Sequence, residues 1–202
     1  MNIFCIGRNY INHVKELKNA IPERPILFLK PSHALVEANG EAISLPKNEG
    51  TIHHEIEVVL KIDKEVKLGD SVNDVVGQMA LGLDLTLRDV QTELKKQGHP
   101  WLRAKGFKNS AIVTPFWEFN GVEKCKEIEF SFVKNGELIQ KGQIADMMFD
   151  FQAIIDDCVN CFGLGQGDLI YTGTPEGVGP LHSGDFCQLF WGKEEKGQFY
   201  VE

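Results

Sequence analysis

The chain predicts a β-rich α+β domain, and three observations carry that reading. Its 20 glycines in 202 residues exceed the usual share of about 7%, which marks many tight turns. The Asn39-Gly40 and Asn135-Gly136 pairs signal hairpins; the second follows the alternating Ile128, Phe130 and Phe132. Strand and helix patterns do not alternate regularly, which argues against a doubly wound parallel sheet. In order, Met1 to Ile6 and Ile26 to Lys30 read as short strands, with a short helix over Asn12 to Ala20 between them. Ile52 to Ile62 reads as one long strand and Met79 to Leu85 as a buried one. Asp89 to Gln97 fits a helix closed by Gly98. Phe151, Ile154, Ile155, Cys158, Val159 and Phe162 repeat at helical spacing, so Asp150 to Phe162 is a helix ending at Gly163. Leu169 to Thr172 and Phe186 to Trp191 complete the strands, and the run Lys193 to Lys196 reads as a solvated loop.

No repeat, linker or low-complexity tract interrupts the sequence, so residues 1–202 are expected to form a single catalytic domain. With 21 basic and 29 acidic residues, the formal net charge is −8. An acidic surface repels a phosphate backbone, and nucleic acid is not an expected partner. The longest charge-free stretch, Cys158 to Gly167, is too short to span a bilayer, so no membrane role is expected. The start, Met1 to Cys5, lacks the basic region and apolar run of a secretory leader. Five cysteines then point to a reducing, cytoplasmic setting rather than a disulfide framework. Cys158 and Cys161 form one CxxC without a second pair, and both thiols are expected to pack in or against the core.

The chemistry concentrates in a few segments. In His53-His54-Glu55-Ile56-Glu57-Val58 a strand places Glu55 and Glu57 on one face. Alone, the pair could simply face solvent; in a buried strand it needs a cation. Asp84 interrupts the apolar run Ala80 to Leu85, where an unpaired ionised carboxylate would cost several kcal/mol. It could pair with Arg88, cap the next helix, or join Glu55 and Glu57 in an all-oxygen site suited to Mg²⁺, Mn²⁺ or Ca²⁺. His13 and Glu16, at i and i+3, share a helix face, as a carboxylate-oriented base requires and as many solvated pairs also do. Lys105, between Ala104 and Gly106-Phe107, could stabilise developing negative charge or lie on a surface loop. The Thr172 to Pro180 segment is glycine-rich but lacks the Gly-Lys-Ser/Thr of a phosphate loop.

Taken in this order, the segments resemble the fumarylacetoacetate hydrolase family. The resemblance runs from Gly7-Arg8-Asn9-Tyr10 to Gly184-Asp185. Between them it rests on Phe28 to Pro31, His54 to Glu57, Leu83 to Gln91, Lys105-Gly106-Phe107, Asn135-Gly136 and Thr172 to Gly179. The short form with a His-x-x-Glu segment is most similar to the acylpyruvase and oxaloacetate decarboxylase branch. The resemblance implies a mixed β-sandwich roll of the family's C-terminal-domain type, assembled as a homodimer. It implies Mg²⁺ or Mn²⁺ on Glu55, Glu57 and Asp84, and a His13–Glu16 dyad on a lid of residues 7–25 that activates water. Lys105 would steady the oxyanion, and Arg88, Gln91 and Thr174 would contact the oxo-acid end of a small substrate.

The expected activity is metal-dependent hydrolysis of the C–C bond of acylpyruvates, giving pyruvate and a carboxylic acid. The same site would support decarboxylation of oxaloacetate. Two alternatives stand beside it: an isomerase or hydratase of 2-hydroxy-dienoates, and a non-catalytic module that binds a metal–oxo-acid complex.

Overall fold

The computed structural model describes residues 1–18 and 20–202. Short apolar segments pair into three sheets. The largest runs in the order β2 (Ile26–Lys30), β1 (Ile3–Gly7), β13 (Leu169–Tyr171), β6 (Ile56–Ile62), β7 (Val76–Asp84), β9 (Ala111–Val113) and β3 (Leu35–Glu37), with β10 (Trp117–Glu118) also on β7. A second sheet is β12 (Glu137–Gly142), β11 (Phe130–Lys134), β15 (Phe186–Trp191), β16 (Glu194–Val201) and β4 (Asn39–Ile43). The third joins β14 (Gly179–Pro180), β5 (Ile52–His54) and β8 (Thr86–Leu87). Helices α1 (Ile11–Glu16), α2 (Val72–Val75), α3 (Arg88–Gln97), α4 (Leu102–Lys105), α5 (Val122–Lys126) and α6 (Phe151–Phe162) lie among them.

The core follows from strand alternation. Along β6, Val58 and Leu60 join the cluster holding Phe130, Phe132, Leu189 and Phe199 of the second sheet, whereas Val59 joins Ile3, Ala80 and Tyr171 on the opposite face. Both faces of the central strand are therefore apolar, which explains the unbroken run Val58-Val59-Leu60. Gly82 on β7 makes this close packing possible. A Cβ there would stand 2.6 Å from Tyr171 Cε1 and 2.7 Å from the Ile112 carbonyl oxygen.

The Asn135-Gly136 hairpin forms between β11 and β12, with both residues at positive φ as a primed turn requires. Asn39-Gly40 does not form a hairpin: it lies inside β4, which pairs in parallel with β16. Gly40 takes a positive φ there, so the pair supplies a conformation, not a reversal. The long strand over 52–62 breaks at Glu55, where the chain passes from the third sheet into the first. The expected helix over 12–20 is shorter, ending at Glu16, and Asn19 of that span lies outside the described residues. Glu194 to Lys196 belong to β16 rather than to a loop. Cys158 is buried as expected, but Cys161 is exposed.

Gly82→Ala tests the packing at the sheet centre. Overpacking of this kind costs about 1–3 kcal/mol, and for a chain of this size each kcal/mol lowers Tm by roughly 2–4 °C. A thermal melt should show that loss; an unchanged Tm would mean the strands separate more readily than this packing allows.

Candidate active site

One edge of the large sheet collects the polar residues. β1 and β13 are parallel, and β6 and β7 pair antiparallel with register Glu57 to Gly82. The ends of β1, β13 and β7 therefore meet the start of β6, bringing Arg8, Thr172 to Thr174, Asp84 and Glu55 to the same place. The Asp84 amide donates to the Glu55 carbonyl at 2.9 Å, which ties the two acid-bearing positions through the backbone.

Glu55, Glu57 and Asp84 are buried, and one carboxylate oxygen from each lies within 4.8 Å of the others. Three cations surround them. Lys105 Nζ is 2.7 Å from both Glu55 Oε2 and Asp84 Oδ2, and Arg88 donates to Glu55 Oε1 at 2.5 Å. Lys30 Nζ stands 2.7 Å from Asp84 Oδ1. Its hydrogens, however, go to the carbonyls of Leu85, Lys105 and Ser110, and Asp84 Oδ1 accepts no hydrogen bond from the described residues. Asp84 thus pairs with two lysines, not with Arg88, and does not cap α3.

Glu55 and Glu57 feel these charges unequally. Burial would push the Glu55 carboxyl up, but the Lys105 and Arg88 charges hold it well below the usual carboxylate range. Glu57 is pushed well above that range, first by burial and then by the Asp84 charge; the Gly173 N–H, 2.7 Å from Glu57 Oε2, opposes this. Burial works against the Lys105 ammonium, yet Asp84 and Glu55 raise its pKa overall. A buried carboxylate short of positive charge, beside an Asp84 oxygen with no hydrogen-bond donor, is the donor set an added hard cation would satisfy. The residues fit a divalent ion of the Mg²⁺ or Mn²⁺ kind, held by these three acids.

Gly173 is required here by two constraints. It adopts φ +101°, and a Cβ would lie 2.6 Å from Asn9 Cβ. Asn9, fully buried, donates to the Thr172 and Phe149 carbonyls at 2.8 and 3.0 Å and fixes the start of the segment leading to α1.

On α1, His13 Nδ1 is 3.2 Å from Glu16 Oε2. A carboxylate only accepts, so Nδ1 carries a proton in this contact, and in the neutral ring this tautomer leaves the Nε2 lone pair free. Glu16 Oε1 also accepts from the Gly177 N–H at 3.1 Å, which docks α1 on the glycine-rich segment. His13 lines the same cleft as the three acids, together with Arg88, Gln91, Lys105 and Thr174. Eight of the nine sequence-predicted site residues therefore line one cleft, and the ninth, Glu16, joins it through His13.

Three contributors escaped the sequence reading. Asn9 and Lys30 lay within quoted segments but drew no role; a lysine ending an apolar strand was the available signal for Lys30. Gln140, buried on β12, left no signal. Its Oε1 accepts from His54 Nδ1 at 2.8 Å and from the Ile56 N–H at 3.2 Å, while its amide donates to Thr174 Oγ1 at 3.0 Å. It thereby connects the strand carrying the acids to Thr174. Burial holds the His54 pKa down at about 4, consistent with a neutral ring that donates from Nδ1.

Comparison with known proteins identifies the group. The model of the fumarylacetoacetate (FAA) hydrolase C-terminal family matches residues 2–198. The chain belongs to this family, whose relatives here are enzymes. It is 39% identical over 188 residues to oxaloacetate tautomerase YcgM of Escherichia coli (strain K12), covering 91% of this chain and 84% of that protein. It is 40% identical over 186 residues to the mitochondrial oxaloacetate tautomerase FAHD1 of Homo sapiens, covering 91% and 84%. Among solved structures, fumarylpyruvate hydrolase from Pseudomonas aeruginosa, in complex with Mn²⁺ and pyruvate, superposes with a TM-score of 0.91 at 29% identity. That match covers 100% of this chain and 89% of the other.

Glu57 gives a test that needs no substrate. Its folded pKa lies above the ordinary 4.5, so its contribution to stability is lost as pH rises from about that value through the folded pKa. In metal-free protein at neutral pH, Glu57→Gln should therefore raise Tm by a few degrees. It should also abolish the Tm increase that Mn²⁺ gives the wild type. A lower Tm in the variant, or an undiminished Mn²⁺ effect, would remove Glu57 from the ligand set.

Proposed function

We propose that the chain is a divalent-metal enzyme of small 2-oxo acids, hydrolysing the C3–C4 bond of acylpyruvates. The reading rests chiefly on one observation, a His13–Glu16 pair docked over the cleft that holds three buried carboxylates. A non-catalytic sensor has no use for such a base. Glu55, Glu57 and Asp84 would hold Mg²⁺ or Mn²⁺, which when bound supplies Lewis acidity at the substrate's 2-oxo group.

The chain's own groups account for the proton and charge movements. His13 Nε2 takes a proton from the water that adds to the 4-oxo carbon, and Glu16 balances the imidazolium. Lys105 has one N–H beyond its two carboxylate bonds, and this is assigned to the new oxyanion at C4; such donors are worth about 3–4 kcal/mol elsewhere. When the C3–C4 bond breaks, the electron pair stays on C3, the carboxylic acid leaves, and His13 returns its proton to C3 to complete pyruvate. Arg88, Gln91 and Thr174 are assigned to the oxo-acid end.

A second reading is favoured by the relatives named oxaloacetate tautomerases. The dyad would then move a proton between C3 and the 2-oxygen of oxaloacetate without using water, and the decarboxylation expected from the sequence would draw on the same stabilised enolate. Residues 1–202 are taken as one catalytic domain with 7–25 as its lid, working as a homodimer. A cytoplasmic setting is supported by the five cysteines, all of them free thiols. Among the described residues no helix is long and apolar enough to cross a membrane.

His13→Ala should lower turnover of acetylpyruvate or oxaloacetate by about 10²–10⁴-fold, the range for losing a general acid–base, while Mn²⁺ affinity stays within a factor of two or so. Pyruvate release separates hydrolysis and decarboxylation from tautomerisation, which consumes enol without producing pyruvate. Full wild-type activity in chelator would overturn the proposal.

A further inference from the structure

The cleft continues outward past the groups assigned above, along one face of α3. Arg88, Gln91 and Lys95 stand at i, i+3 and i+7 and all line it, the spacing at which helical side chains stack in a row. At about 1.5 Å of rise per residue, Lys95 lies roughly 10 Å along the axis from Arg88. Arg88 and Gln91 are hydrogen-bonded to each other at 2.8 Å, and Arg88 also holds Glu55. Among the described residues Lys95 has no such partner. Its ammonium sits 5.2 Å from the centroid of the Trp101 ring, which also lines the cleft.

Arg8 lies across the same opening, immediately after β1, at φ +60°. Its recorded hydrogen bond is a long one, 3.4 Å, to the Ala20 carbonyl. Neither Arg8 nor Lys95 forms an ion pair with a carboxylate among the described residues. Partial burial and then the Arg8 and Arg88 charges lower the Lys95 pKa, which agrees with their proximity. In a chain whose net charge is −8, two uncompensated cations converge on the mouth of one cleft. Deeper in, three carboxylates already face three cations.

We infer that Arg8 and Lys95 form a second anion subsite, which selects 2-oxo acids bearing a second carboxylate at their far end over 2-oxo monocarboxylates. This deepens the proposed function and rests on it for where the first carboxylate binds. Lys95 takes the distal carboxylate as a point charge from α3, and Arg8 closes on it from the segment leading to α1. No bond is made or broken at the subsite; it acts by differential binding.

The experiment compares fumarylpyruvate, a diacid, with acetylpyruvate, a monoacid cleaved at the same bond, in Mg²⁺. The proteins are the wild type, Arg8→Gln, Lys95→Gln, Lys95→Arg and the outer-face control Lys96→Gln. Loss of a charged hydrogen bond corresponds to about 10–100-fold. Arg8→Gln and Lys95→Gln should lower kcat/KM for fumarylpyruvate by that factor, mainly through KM, and leave acetylpyruvate within about twofold; Lys95→Arg should restore most of the loss. Calorimetry with two unreactive 2-hydroxy acids, malate and lactate, gives a readout without turnover. Wild type should bind malate at least tenfold more tightly than lactate, and either Gln variant should remove that preference. Parallel losses on both substrates, no loss on either, or losses equalled by Lys96→Gln would overturn the inference. If neither substrate is turned over but malate selectivity is present and depends on both residues, the subsite stands and the proposed reaction fails.

Discussion

Three carboxylates buried within reach of one another form an arrangement that a protein interior does not tolerate without compensation. Each desolvated anion carries a penalty of several kcal/mol, and their mutual repulsion adds to it. Much of the surrounding architecture can be understood as the answer. Lys30 comes from β2, Arg88 from the start of α3 and Lys105 from the end of α4, three separate elements whose charged ends converge on the acids. The compensation is uneven: Glu55 is strongly held in its charged form, while Glu57 is left to a single backbone N–H from Gly173. That imbalance is the structural basis for expecting a further cation.

The same edge explains how acid–base chemistry reaches the acids. Asn9 anchors the segment after β1 to Thr172 and Phe149, and α1 follows at once. Glu16 then uses its two oxygens differently, one on His13 and one on the Gly177 amide. The same carboxylate thus both orients the base and docks its helix on the glycine-rich segment. Gln140 plays a comparable part from the opposite sheet, joining Ile56 and Thr174 through one side chain.

The site was more legible in the sequence than the fold around it. Charged residues inside apolar runs, such as Asp84 between Leu83 and Leu85, announce themselves because burial of a lone charge demands a reason. The class of fold also followed from turn chemistry, and the Asn135-Gly136 hairpin formed where alternation supported it. Asn39-Gly40 lacked such flanking alternation and served only as a positive-φ position within a strand. The break at Glu55 left no mark in the residue pattern; the change of partner strand is what distinguishes β5 from β6. Gln140 and Lys30 were hidden for a related reason. Their importance lies in what they touch across long sequence separations, which no local pattern encodes.

Equilibrium binding of Mn²⁺, followed by the electron paramagnetic resonance of the free ion, reaches the heart of the account. Wild-type protein should take up one ion per chain saturably, and Asp84→Asn should lose that binding while a melt shows it still folds. Absence of saturable uptake, or uptake that Asp84→Asn leaves intact, would show that the buried acids are balanced by lysine and arginine alone.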